Sequence, residues 1–273
     1  MSIDEEATFQ FHANGSTATA ALLLHGYMGT PRELRPLGEA LAAAGVTTRG
    51  ELLPGFGKEG RPQLGRVRAE DWLDAARAAW LEVTRGAAHR TLIGFSMGGA
   101  LALTLAADPA VRPDALVLLA PYWRMADRRA VLLPVAHFVM PRFQPFGKLD
   151  FTDPATRLTL AEAVPGVDLD DPDVQRSFQE EMTVPTHSLH QLRRLGLRAS
   201  RARLAPQTSR VIVQGLQDPT TLPQDSRDLS RMIGARLIEV PADHMLVDQN
   251  APAWERVRDA VLSRAVPKPG QSG

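Results

Sequence analysis

Gly94-Phe95-Ser96-Met97-Gly98 decides how this chain is read. The pentapeptide is a GxSxG. It stands where a strand-like run, Arg90-Thr91-Leu92-Ile93, gives way to helix formers, Gly99-Ala100-Leu101-Ala102-Leu103-Thr104-Leu105-Ala106-Ala107. A serine at so sharp a strand-to-helix turn has a strained backbone and a hydroxyl projecting above the sheet. Glycine on either side leaves room for the turn, because a Cβ there would collide with the neighbouring strand or helix. The residues alone are a weak signal; the strand–turn–helix setting gives them weight.

Outward from that turn, apolar runs and helical patterns alternate. Residues 8–12 alternate weakly and read as an N-terminal strand. Residues 18–24 read as a buried strand ending in His25-Gly26, and 31–44 as a helix with Pro31 at its start. A strand over 46–53 stops at Pro54-Gly55-Phe56-Gly57. Residues 69–85 are helical, with Trp72, Ala76, Ala79, Trp80 and Val83 at helical spacing, and 115–120 form a continuous apolar strand. Strands buried on both faces and alternating with helices predict a parallel sheet of βαβ units. The alternation lapses over 121–205, which shows helical fragments and many prolines. It resumes with a strand at 210–215, a helix at 224–232, a strand at 235–240 and a helix at 251–265. The expected organisation is an α/β core over 1–120 and 206–265, a helical cap insertion with its return helix over 121–205, and a flexible tail over 266–273.

Composition narrows the function. In 273 residues Lys plus Arg number 31, as do Asp plus Glu, so no net positive field marks a nucleic-acid binder. Without cysteine there are no disulfides, thiolate metal sites or cysteine nucleophiles. The start, Met1-Ser2-Ile3-Asp4-Glu5-Glu6, is acidic, unlike a signal peptide, and no apolar run is long enough for stable membrane insertion. A soluble, cytoplasmic protein is expected. No phosphate loop, His pair or carboxylate cluster points to a nucleotide or metal, so no cofactor is expected.

A serine hydroxyl becomes a nucleophile when a base takes its proton, and a carboxylate must orient that base. After a GxSxG elbow the partners follow in the order acid, then histidine. His244, just past the last predicted strand, is the candidate base, because open α/β sheets bind ligands at that edge. Asp218, in Gly215-Leu216-Gln217-Asp218-Pro219, leaves the preceding strand on the same edge and is the candidate acid. Asp243 adjoins the histidine and ranks behind Asp218 as the acid, since sequence neighbours usually point apart. An oxyanion hole needs two backbone N–H groups; Met97, after the nucleophile, and Tyr27, in the His25-Gly26-Tyr27-Met28-Gly29 loop, are expected to supply them. Tyr27, Trp123, Phe138, Phe143 and Phe146 are candidates to line an apolar substrate pocket. Arg193, Arg194, Arg198, Arg201 and Arg203 form a basic run read as a solvated helix face.

Taken in order, Leu22-Leu23-Leu24-His25-Gly26-Tyr27-Met28-Gly29-Thr30-Pro31, Leu53-Pro54-Gly55-Phe56-Gly57, the Ser96 elbow and Gly215-Leu216-Gln217-Asp218 resemble the α/β-hydrolase superfamily. They are most similar to its carboxylesterase and monoacylglycerol-lipase-like branch. The resemblance covers about 18–265. Phe56 stands where the family normally has a histidine, a departure that touches no catalytic role. The resemblance implies a mostly parallel central sheet flanked by helices, with a helical cap. It also implies hydrolysis of carboxylic esters with short-to-medium apolar acyl chains on a Ser96–His244–Asp218 triad. Thioesterase, amidase or aminopeptidase chemistry on the same triad, and a non-catalytic small-ligand binder, are the alternatives.

Overall fold

Strands that bury both faces form the centre of the fold. β2 (Thr19–Leu24), β4 (His89–Phe95), β5 (Ala115–Leu119) and β8 (Ser209–Gly215) each carry five consecutive buried residues. Such strands need cover on both sides, which a parallel sheet between helices supplies. The computed structural model describes residues 6–13, 19–125, 133–134, 140–143, 150–153, 156–157, 168–176 and 184–267. With β1 (Phe9–Phe11), β3 (Thr47–Glu51) and β9 (Arg236–Val240), the strands form one sheet in the order β1-β3-β2-β4-β5-β8-β9. Only the β1–β3 pair in that sheet is antiparallel.

Side chains along these strands alternate between two cores. Leu22, Leu24, Leu92, Leu116, Leu118 and Ile212 face the side covered by α3 (Ala69–Val83) and α4 (Met97–Ala106). Leu23, Ile93, Val117, Leu119, Val211 and Val213 face α1 (Arg35–Ala43) and α8 (Trp254–Ala265). Helix α4 buries nine of its ten residues, as its uniformly apolar sequence requires. In α3, Trp72 and Trp80 are core residues whose indole N–H groups donate to Pro54 O (2.9 Å) and Val111 O (3.1 Å).

Further α-helices are α2 (Gly57–Gly60), α5 (Pro172–Arg176), α6 (Thr186–Ala199) and α7 (Pro223–Ile233), and 3-10 helices span Pro31–Leu34 and Arg61–Arg66. The chain divides into two compact units, 1–128 with 191–273, and 129–190. The second is narrower than the 121–205 break in the sequence pattern. Trp123 Nε1 donates to Asp225 O (3.0 Å), and Arg124 pairs with Asp225 and Asp228. Leu192, Leu195 and Ala199 of α6 join the core cluster of α3 and α4. Both stretches therefore belong to the first unit. Within the second, β6 (Arg142–Phe143) pairs antiparallel with β7 (Val184–Pro185). Two-residue strands, one holding a proline, leave no periodicity to read. No described helix is long and apolar enough to cross a membrane.

In register, Leu24 sits beside Gly94, Phe95 beside Leu119, and Gly215 beside Val240. The carboxyl ends of β2, β4, β5, β8 and β9 therefore lie along one edge. Every loop carrying a predicted site residue of the first unit starts there.

Candidate active site

Ser96 joins β4 to α4 with φ 51° and ψ −116°, a backbone conformation that L residues rarely adopt. Its neighbours hold it there. Ser96 N donates to Leu119 O (2.9 Å), while Gly99 N (2.9 Å) and Tyr122 N (3.0 Å) donate to Ser96 O. A Cβ on Gly94 would lie 2.2 Å from Gly98 O, and one on Gly98 would lie 2.0 Å from Leu24 O. The turn therefore closes only with glycine at both positions.

His244 stands between the serine and a carboxylate. Its Nδ1 is 2.8 Å from Asp218 Oδ2, and its Nε2 is 3.1 Å from Ser96 Oγ. A carboxylate accepts only, so Nδ1 carries the proton and the Nε2 lone pair faces the serine hydroxyl. The Phe95 ring packs against the imidazole with centroids 5.1 Å apart. Asp243, the rejected neighbour, accepts Met245 N (2.8 Å) in a local turn.

Asp218 depends on protein donors because its side chain has no solvent exposure, against 16% for His244. Oδ1 accepts Thr220 N (2.8 Å) and Thr221 N (2.9 Å). Oδ2 accepts the Thr221 hydroxyl (2.7 Å) and the Gln214 amide (3.0 Å) besides His244. Burial alone would raise the pKa, but His244 and the Thr221 donors outweigh it and hold the carboxyl below its ordinary range.

The loop after β2 forms a turn in which Gly29 N donates to Gly26 O (3.3 Å) and Met28 has φ 64°. Two side chains pin it. His25 is fully buried: Nδ1–H donates to Gly26 O (2.8 Å) and Nε2 accepts Leu53 N (3.2 Å). Burial lowers its pKa to about 4, so His25 is a neutral strut. Glu33 Oε1 accepts Gly26 N at 2.6 Å. Burial raises the Glu33 pKa to about 7, against the Gly26 N–H and the charge of His244, which pull it down. Tyr27 sits at the tip of this turn and its ring packs edge-on to Phe56 (5.8 Å). Met97 is the first residue of α4, where helix geometry leaves the N–H without an intrahelical acceptor.

Trp123 is partly buried, with Arg124 4.6 Å over its ring. Phe143 lies in β6, and its side chain, like Phe138 and Phe146, falls outside the described residues. Sequence reasoning missed Glu33, Thr221 and Gln214. Of these only Gln214 left a signal, as a polar residue directly after the apolar run Val211-Ile212-Val213.

The sequence profile of the Alpha/beta hydrolase family matches residues 21–259. Over 85 residues the chain is 36% identical to the thermostable monoacylglycerol lipase of Bacillus sp. (strain H-257), a match spanning 31% of this chain and 34% of that lipase. Among solved structures, that of the metagenome-derived lipolytic enzymes LipS and LipT superposes with a TM-score of 0.74 at 20% identity, covering 96% of this chain and 98% of the other. The monoacylglycerol lipase of Paleococcus ferrophilus gives 0.68 at 17% identity, over 94% and 96%. The thioesterase domain from the curacin biosynthetic pathway gives 0.61 at 16%, over 94% and 93%. At these identities the structural likeness is one of fold.

Proposed function

This chain belongs to the alpha/beta hydrolase family, and from that premise we propose that it is a serine hydrolase cleaving carboxylic esters through an acyl-enzyme. The observation that carries the reading is the pair of hydrogen bonds linking Asp218, His244 and Ser96, at 2.8 and 3.1 Å.

Ser96 Oγ attacks the ester carbonyl while His244 Nε2 takes its proton, and Asp218 stabilises the imidazolium through Nδ1–H. The carbonyl oxygen becomes an oxyanion held by the N–H groups of Tyr27 and Met97. Collapse breaks the ester C–O bond, and the imidazolium gives its proton to the leaving alcohol. Water then attacks the acyl-enzyme, losing a proton to His244; the acid departs and the proton returns to Ser96 Oγ.

An apolar acyl group is the preferred cargo. Leu216 and Leu222 flank Asp218 in sequence, Met245 follows His244, and all three are exposed large apolar residues. Similarity to a Bacillus monoacylglycerol lipase over 85 residues supports the same substrate class. A panel of p-nitrophenyl esters, matched acyl thioesters and aminoacyl anilides tests the reading. Esters are expected to lead, with kcat/KM rising from acetyl to medium chains by up to a few-fold per carbon, since each buried methylene contributes about 0.8 kcal/mol. Preference for thioesters or anilides, or for acetate over all longer acids, contradicts it.

A further inference from the structure

Gln214 is the next-to-last residue of β8, fully buried, in a strand whose neighbours Val211, Ile212 and Val213 are apolar. A buried amide in such a place costs free energy unless its donors and acceptor are all used. Here they are. Nε2 faces three acceptors: Asp218 Oδ2 (3.0 Å), Thr221 O (3.0 Å) and Gly215 O (3.1 Å). Oε1 accepts the hydroxyl of Ser226, a fully buried residue of α7, at 2.6 Å. Turning the amide over would aim Oε1 at three oxygens and Nε2 at a hydroxyl, so the chemistry of the surroundings fixes its orientation.

We propose that Gln214, gripped by Ser226, is a positioning residue that holds Asp218 ionised and aimed at His244. This rests on the Ser96–His244–Asp218 reading above. Asp218 Oδ2 has three side-chain donors, from His244, Thr221 and Gln214. The Thr221 hydroxyl has one proton and also lies 3.2 Å from Ala120 O. The Gln214 amide is the donor that is neutral, fixed at both ends and unable to titrate. A lysine there would compete with His244 for the carboxylate. A glutamate would repel Asp218 unless protonated. Asp218 and His244 are the titratable groups of this network, and Glu33, which interacts electrostatically with His244, is the further titratable group acting on the histidine.

Losing the amide leaves Oδ2 with one donor fewer. The carboxylate then protonates more readily and draws the Nδ1 proton more strongly, so both effects move the acid limb of kcat/KM to higher pH. The test compares wild type with Gln214→Met, which keeps the bulk and lacks the polar atoms, and Ser226→Ala, which frees the grip. The readouts are kcat and KM on p-nitrophenyl butyrate, the pH profile, the far-downfield imidazole Nδ1 proton resonance, and fluorophosphonate labelling. Gln214→Met is expected to lower kcat about 10- to 100-fold, with KM little changed, the acid limb raised and the downfield resonance shifted or broadened. Ser226→Ala should move each readout the same way by less, and it carries the test if Gln214→Met does not fold. A lower Tm with kcat and acid limb unmoved marks a packing role and overturns the proposal. Wild-type enzyme that neither labels nor turns over contradicts the hydrolase reading itself, a result distinct from that one.

Discussion

At the scale of single residues, Asp218 and Asp243 show how placement separates two carboxylates that look alike in sequence. Asp218 is buried, bonded to His244 and fully supplied with donors; Asp243 closes a turn of its own. Asp218→Asn is expected to lower kcat on the order of 10⁴-fold by favouring the wrong imidazole tautomer, and Asp243→Asn to change it little. Steady-state kinetics on both variants checks this, and reversed severity contradicts the choice of acid. Glu33 makes a different demand. Its pKa is raised from 4.5 to about 7, so the fold carries no penalty from it below about pH 4.5 and a growing one as pH rises through 7. Glu33→Gln keeps an acceptor for Gly26 N and removes the charge. It should therefore be more stable than wild type at pH 8, by about 3 kcal/mol, with the gain vanishing towards pH 4.5. Urea melts at both pH values measure it; an equal effect at each would contradict the cause. That Ser96, His244 and Asp218 come together was legible because elbow, strand ends and chain order constrain where they lie. Glu33 was not, because a glutamate seven residues from the glycine it meets carries no motif.

At the scale of elements, the elbow is first of all a backbone requirement. Gly98→Ala forces a Cβ against Leu24 O and should cost about 3 kcal/mol, lowering Tm as well as activity. A variant with wild-type Tm would show that the turn has slack. The core strands and helices were readable to within a few residues because uniform apolar runs and 3.6-residue spacing leave few alternatives. Helix α2 and the β6–β7 ribbon were not, being too short to carry a period. The basic run on α6 reads as a solvated face, yet Arg194 and Arg198 both bond Glu70 of α3, at 2.9 and 2.5 Å. Charge pattern along one helix cannot reveal a partner 124 residues away.

At the scale of the whole molecule, the sheet gathers residues that the chain keeps far apart. Ser96 and His244 are 148 positions apart, and Asp218 is 26 from the histidine. Three of the four described non-glycine residues with positive φ, Met28, Ser96 and Ala120, lie at the carboxyl edge where these loops begin. Backbone strain tends to gather at functional sites, held by the structure around it. The central claim is that this edge makes Ser96 a nucleophile. The most direct measurement is to treat the full-length protein with a fluorophosphonate and locate the adduct by mass spectrometry of its peptides. One adduct on Ser96, absent from Ser96→Ala and much slowed in His244→Ala, is the predicted result. An unlabelled Ser96, or labelling that persists undiminished in Ser96→Ala, would contradict it.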